Sequence, residues 1–421
     1  MCPVQNVIAP ASAVPGRAAG ATDFLDGWRG LAALEVVICH LFALTMASKL
    51  FAPPPGSSDV LCRAAFYILA APFRFGVAAV WFFFVLSGFV IHLRYAKALR
   101  ENPAAKFGWR KFVWHRLRRL YPPLLLAIGA TWALVNLGTR MHLQFFDWGG
   151  AQWMPVLPSV FTCNLTLVGN LLFLMGCYMP AYGTDGSLWS LNREWWFYML
   201  YPLLSPVLRL GKSPWLATAV VAGLYLFSFR INNPLLKLPK CIFHDMALWW
   251  LGALLAEIYA GRTRVSFAQI APLATFIPIA MVFALLHQTG LIRSASLGQD
   301  GDIGQAMFGL GFAGLIATAF WVQRRYSWSP FAKLKWLGEM SYTLYVIHLP
   351  IATFVCAIVL RWLGPRATWQ RLATTPAILV LILVIAYFLH LFVERPFLAK
   401  SRRASLPQPI AAVADPRSLS E

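Results

Sequence analysis

The chain has 421 residues, of which 59% are hydrophobic and 12% charged, about half the charged share of an ordinary soluble domain. Such a composition excludes a water-soluble globular domain, and long apolar runs without strict apolar–polar alternation exclude a membrane β-barrel. The formal charge of +20 does not point to nucleic acid, because Lys and Arg collect in the gaps between apolar runs, as cytoplasmic loops require.

Residues 1–22 lack a basic start followed by an apolar core and are expected to form a disordered cytoplasmic tail. Runs long enough to span a bilayer follow at about 29–50, 70–93, 118–138, 188–209, 214–230, 243–260, 270–288, 304–323, 338–361 and 374–394. The expected fold is an all-α integral membrane protein, a polytopic helical bundle of about ten transmembrane helices occupying 23–397, with 398–421 as a second disordered cytoplasmic tail. An eleventh run, 156–177, contains Thr162, Asn164, Thr166 and Asn170. Counting it as a span would invert the rest of the chain and put the basic clusters 324–335 and 395–403 outside. The segment 139–187 is therefore read as an extracytoplasmic loop, with both termini in the cytoplasm. Cysteines show no C-x-x-C spacing, so no metal site is expected, and Cys163 and Cys177 read as unpaired, half-buried thiols.

Ionisable residues inside spans cost about 2.5–3.5 kcal/mol each by insertion scales, so each requires a reason. The first span holds Asp26, Arg29, Glu35 and His40. Arg29 and His40 lie close to three helical turns apart, on one face and roughly 16 Å from each other. A mid-membrane imidazole is either a buried hydrogen-bonding group or a general base able to take a proton from a hydroxyl near neutrality. Asp26 and Arg29 read equally well as a pair at the helix start; Glu35 has no evident partner.

Further along, Ser87 and Gly88 permit close helix approach. The stretch F-V-W-H-R-L-R-R-L-Y-P-P brings Arg116, Arg118 and Arg119 to the start of the third span. S-L-W-S-L-N-R-E holds Ser187, Trp189, Ser190, Arg193 and Glu194. S-Y-T-L-Y-V-I-H places Tyr342 and His348 within a span, and V-E-R-P puts Glu394 at the end of the last one.

This set, in this order over about 24–397, resembles the acyltransferase-3 family of membrane proteins that O-acylate bacterial surface polysaccharides and other acceptors. The likeness rests on Asp26-Gly27-x-Arg29-Gly30, the Arg-x10-His spacing ending in His40, F-x-x-S-G-F, the Arg-rich segment before Tyr-Pro, Ser-Leu-Trp-Ser-Leu-x-x-Glu, Ser-Tyr-x-x-Tyr-x-x-His and the terminal Glu-x-Pro. Asn192, Arg193 and Trp28 depart from the usual pattern. The resemblance implies an acyl-CoA co-substrate, most often acetyl-CoA, with no permanently bound cofactor. It also implies a carbohydrate or glycolipid acceptor at the outer side of a plasma (inner) membrane. His40, Glu194 and Asp26 are the expected catalytic residues, Arg29, Arg116, Arg118 and Arg119 the expected donor ligands, and Ser187, Trp189, Ser190, Tyr342 and His348 the expected acceptor or pocket residues. Glu194 is expected either to orient the imidazole or bind the acceptor, or else to form a structural ion pair with Arg193. A transporter that relays protons or binds an anion is the alternative; the inverted repeats and broken helices it calls for are not visible in the sequence.

Overall fold

Where hydrocarbon surrounds a backbone, every N–H and C=O must find its partner within the chain, and the helix is the local solution. The computed structural model describes residues 23–46, 73–143, 145–146, 163–210, 213–288, 290–326, 331–363 and 368–397, which hold helices and no strand. The two expected tails, 1–22 and 398–421, lie outside the described residues.

Helices α1 (Asp23–Met46), α2 (Gly76–Glu101), α3 (Trp109–Arg140), α4 (Asn164–Leu171), α5 (Trp189–Leu210) and α6 (Trp215–Ser228) form the first half. They are followed by α7 (Lys237–Ala260), α8 (Phe276–Gln288), α9 (Asp302–Tyr326), α10 (Lys335–Glu339), α11 (Ser341–Leu363) and α12 (Thr368–Leu389). Among the described residues eight segments are long and apolar enough to cross a membrane: α1, α2, α3, α7, α9, α11, and the longer stretches Phe267–Gln288 and Ala373–Phe397 that contain α8 and the end of α12. The chain is thus a polytopic helical bundle, with two of the expected spans each short of one criterion, α5 of apolarity and α6 of length. Helix α5 has 22 residues, but Asn192, Arg193 and Glu194 sit in its first half. Helix α6, with 14 residues, is roughly 21 Å long against a hydrocarbon core of about 30 Å.

Side-chain pairings set the directions of the helices. Arg29 bonds Ser341 while His40 bonds His348, so α1 and α11 run parallel. Ser87, His92 and Tyr95 of α2 meet Tyr198, Tyr201 and the Ser205 carbonyl of α5, another parallel pair. Phe112 and Tyr121 of α3 meet Tyr201 and Trp195, so α3 and α5 are antiparallel neighbours. The chain between α3 and α5 therefore leaves and re-enters at the same end of the bundle. Within it, α4 spans only 8 residues.

Closest approach occurs where glycines remove the side chain. Gly88 of α2 faces the Trp249 carbonyl of α7, and Gly252 of α7 faces the Val85 carbonyl of α2, so two backbones touch along this crossing. A buried network ties the same pair together: His92 Nε2 to Glu257 Oε1 at 2.6 Å, His92 Nδ1 to the Tyr201 hydroxyl at 2.7 Å, and Arg262 to Glu257 at 2.8 Å. The end of the bundle that receives the last turns of α2, α5, α7 and α9 also carries Arg94, Lys97, Arg100, Arg209, Arg262, Arg264, Arg324 and Arg325.

Candidate active site

A chamber opens among α1, α2, α3, α5 and α11. Arg29, Ser87, Arg116, Arg119, Ser190, Glu194, Tyr198, Ser341, Tyr342 and Tyr345 supply its polar lining, and Val80, Phe83, Phe84, Leu86, Val90 and Ile91 its apolar wall. Ser190, Glu194 and Tyr198 reach it together because i, i+4 and i+8 share one helical face. The Tyr198 hydroxyl donates to Glu194. Arg193, one position along and about 100° around the helix, turns away to Asp245 of α7 at 2.9 Å. Glu194 is therefore not neutralised by its neighbour.

The chamber shares Val90, Ile91, Arg116 and Arg119 with a wider cleft toward the basic end, lined further by Arg94, Lys106, Lys111 and His115 and by no carboxylate. Counted to their open mouths, the two spaces measure about 770 and 1370 Å³. Arg116 stands where they meet, over the rings of Phe112 and Tyr198 at 5.5 Å each, and its Nε is buried without a hydrogen-bond partner. The Arg119 guanidinium faces the charges of Glu194 and Glu394, and no hydrogen bond or ion pair among the described residues holds it. Two guanidiniums in a largely apolar passage, one with its Nε hydrogen unpaired and the other held by no hydrogen bond among the described residues, make a site for an anion that brings its own acceptor oxygens. Arg118, between them in sequence, does not line either space.

Other expected site residues also bond or pack within the fold. Arg29 touches the chamber, yet its Nε bonds the Gly338 carbonyl at 3.1 Å and Ser341 Oγ at 2.9 Å, and its Nη2 lies 3.2 Å from Asp26. Gly27 and Gly30 let α1 settle against the backbone at Phe331 and Leu337–Gly338, so Asp26-Gly27-Trp28-Arg29-Gly30 clamps α1 to α10. Asp26 lies about 21 Å along the helix from His40, and the structure does not bring the two together. Ser187 donates to Asp185 at 2.5 Å. Trp189 packs edge-on against Trp81. Tyr342 faces the chamber and donates to the Leu120 carbonyl at 3.3 Å. Glu394 is held by Thr343 at 2.7 Å and His390 at 2.9 Å. Glu35 Oε1 is buried without a hydrogen-bond partner.

His40 lies outside the chamber lining. Its Nδ1 is 2.9 Å from the Val36 carbonyl and 3.1 Å from Nε2 of His348, whose own Nδ1 lies 2.7 Å from the Tyr345 carbonyl. Tyr345 stands between chamber and imidazoles: its hydroxyl bonds Ser190 at 2.7 Å and the Ser187 carbonyl at 3.2 Å, and its ring centroid is 5.8 Å from that of His348. Glu194 is not a partner of His40; His348 is.

The family model for an acyltransferase domain, that of the acyltransferase-3 family, matches residues 22–391, nearly the whole chain. The chain belongs to the acyltransferase-3 family. No curated protein and no solved structure matches it. In this acyltransferase-3 protein the motif residues divide between the chamber (Ser190, Glu194, Arg116, Arg119, Tyr342), the imidazole pair (His40, His348) and the supporting joints (Asp26, Arg29, Ser187, Trp189). Sequence reasoning missed Tyr198 and Tyr345 of the lining, although each repeats at four-residue spacing from Glu194 or from the Ser341 turn. It also missed Arg94, Lys106 and Lys111 as cleft residues, having assigned them to topology alone. Among the described residues no cluster of three His, Cys, Asp or Glu side chains is placed to hold a metal ion.

Proposed function

We propose that this membrane acyltransferase moves an acetyl group from cytoplasmic acetyl-CoA to a hydroxyl of a carbohydrate acceptor at the opposite face of the plasma (inner) membrane, with both termini in the cytoplasm. The observation that carries the proposal is the basic passage whose two spaces meet at Arg116 and Arg119 and whose inner end is Tyr345, the ring that separates it from the His40–His348 pair. Family membership supports acyl transfer, and the passage suits a donor with phosphates at one end and a thioester on a long uncharged arm at the other. Arg94, Lys106 and Lys111 meet the nucleotide phosphates, Arg116 and Arg119 the pyrophosphate, and the pantetheine arm lies in the chamber.

His40 acts as general base. The acceptor O–H bond breaks as the proton passes to the imidazole, the oxygen bonds to the acyl carbon, the C–S bond breaks, and the leaving thiolate takes the proton back. Tyr345 moves aside for the thioester to reach this point. Glu194, with Tyr198 on it, faces the donor arm and polarises the chamber.

Replacing His40 by Ala tests the assignment. Membranes of the producing cell, given radiolabelled acetyl-CoA, transfer label to glycan with the wild-type chain and lose at least about 100-fold of that rate with His40→Ala, general acid–base terms being worth 10²–10⁴. Mass analysis of surface glycans with and without the gene identifies acyl group and acceptor together. Wild-type labelling by His40→Ala would overturn the base assignment; unchanged glycan masses would overturn the acceptor class.

A further inference from the structure

We propose that His348 is a positioning residue that, together with the Val36 carbonyl, holds His40 in the Nδ1–H tautomer and leaves His40 Nε2 as the bare nitrogen that meets the acceptor hydroxyl. The inference rests on the acyl-transfer reading of this site and adds to it the group that orients the base. It follows from donor and acceptor accounting along one line of atoms. A carbonyl oxygen only accepts, so the His348 nitrogen 2.7 Å from the Tyr345 carbonyl, Nδ1, carries a hydrogen. By the same rule His40 Nδ1, 2.9 Å from the Val36 carbonyl, carries one too. The nitrogen facing it at 3.1 Å, His348 Nε2, must then be the acceptor. Were His348 doubly protonated, His40 Nδ1 would have to present a lone pair both to His348 and to the Val36 carbonyl, and the latter contact would be repulsive. Both rings are thus neutral Nδ1–H tautomers, and the His40 Nδ1 hydrogen is shared between Val36 and His348.

The consequence falls on the far side of the His40 ring. No described group bonds His40 Nε2, and it holds the lone pair that a general base needs. When it takes the acceptor proton, His40 becomes an imidazolium, and its Nδ1–H bond to His348 shortens and strengthens with the charge. His348 is fully buried, at 0% exposure, and its Tyr345 bond sets its ring plane, as the partners of other working histidines do. Carboxylates play that role in many sites; here the ring partner is a neutral imidazole, and Glu194 stays in the chamber.

Two substitutions separate positioning from packing. Asn places its amide nitrogen where the imidazole Nδ1 was and keeps the bond to the Tyr345 carbonyl but falls short of His40. Gln reaches the position of Nε2 with an acceptor oxygen. With radiolabelled acetyl-CoA and membranes carrying the acceptor, His348→Asn is expected to lose about 100-fold in kcat with KM for acetyl-CoA unchanged, and His348→Gln to stay within about tenfold of wild type. Thermal unfolding in detergent checks that both variants are folded. Asn at the wild-type rate, or Asn and Gln falling together with KM rising in both, overturns the inference. If His348→Asn is active while His40→Ala is dead, the base assignment stands and only the orienting role fails; if His40→Ala is active, the reading beneath both is wrong.

Discussion

At the scale of single residues, the site is decided by which polar atoms have partners. Arg116 and Arg119 keep guanidinium capacity in hand, whereas Arg29 spends its hydrogens on Gly338, Ser341 and Asp26. Asp185, in the loop before α5, is the opposite of an available ligand: it is fully buried, Ser187 serves one oxygen, and the other has no hydrogen bond. Burial pushes this carboxyl up to about 8. The unfolded chain ionises it near pH 4 while the folded chain holds its proton to about 8, so its contribution to stability is fully present below pH 4 and declines as pH rises through that window. Asp185→Asn removes the decline. The thermal midpoint of the variant should gain on wild type steadily from pH 5 to pH 8, and a constant difference across that range would refute the assignment.

At the scale of helices, the closest contacts depend on atoms that are missing. Gly88 and Gly252 bring α2 and α7 to backbone contact, and that crossing holds the wall of the chamber formed by Val80 to Ile91. A side chain at Gly88 would meet the Trp249 carbonyl, a rigid neighbour, so Gly88→Val should cost about 3 kcal/mol or more as the helices separate. Gly129 of α3 has open space where its Cβ would be, and Gly129→Ala should change stability by less than about 1 kcal/mol. Unfolding of both variants in one detergent gives the comparison; equal losses would mean that the crossing tolerates expansion. The Arg193–Asp245 bond likewise belongs to the α5–α7 joint, where breaking one partner of a buried pair costs more than the pair itself contributes.

For the whole molecule, helix directions and the location of charge agree. α1 and α11 run parallel, and α3 and α5 antiparallel, which an odd number of crossings between α1 and α11 satisfies whether or not α5 and α6 both count as spans. The proposed topology puts the basic end in the cytoplasm, in line with the excess of Lys and Arg in its loops. In a chain whose native cysteines are replaced, Lys106→Cys should react with a membrane-impermeant maleimide only after cells are opened. Asn232→Cys, between α6 and α7, should react in intact cells. The reverse pattern would invert the topology and place the basic cleft away from the cytoplasm, against the proposed donor.

Much of this was legible in the sequence because hydrocarbon leaves a buried backbone few choices: apolar runs of sufficient length become helices, and their polar exceptions stand out. The motif carrying Arg-x10-His pointed to one face of α1, and Ser87-Gly88 pointed to a close crossing. Rotation about each helix axis was not legible, because it is set by neighbours distant in sequence. That rotation puts Arg116 and Arg119 in the passage and Arg118 outside it, aims Arg193 at Asp245 and Glu194 into the chamber, and turns Asp26 and Arg29 into a clamp. Nor does any local pattern announce that two imidazoles from α1 and α11, 308 positions apart, meet. Composition and periodicity determined by themselves that this is a membrane bundle with an ionisable line along its first helix; the packing of α1 against α11 decided which partner that line has, because only tertiary contact brings the second imidazole within hydrogen-bond reach.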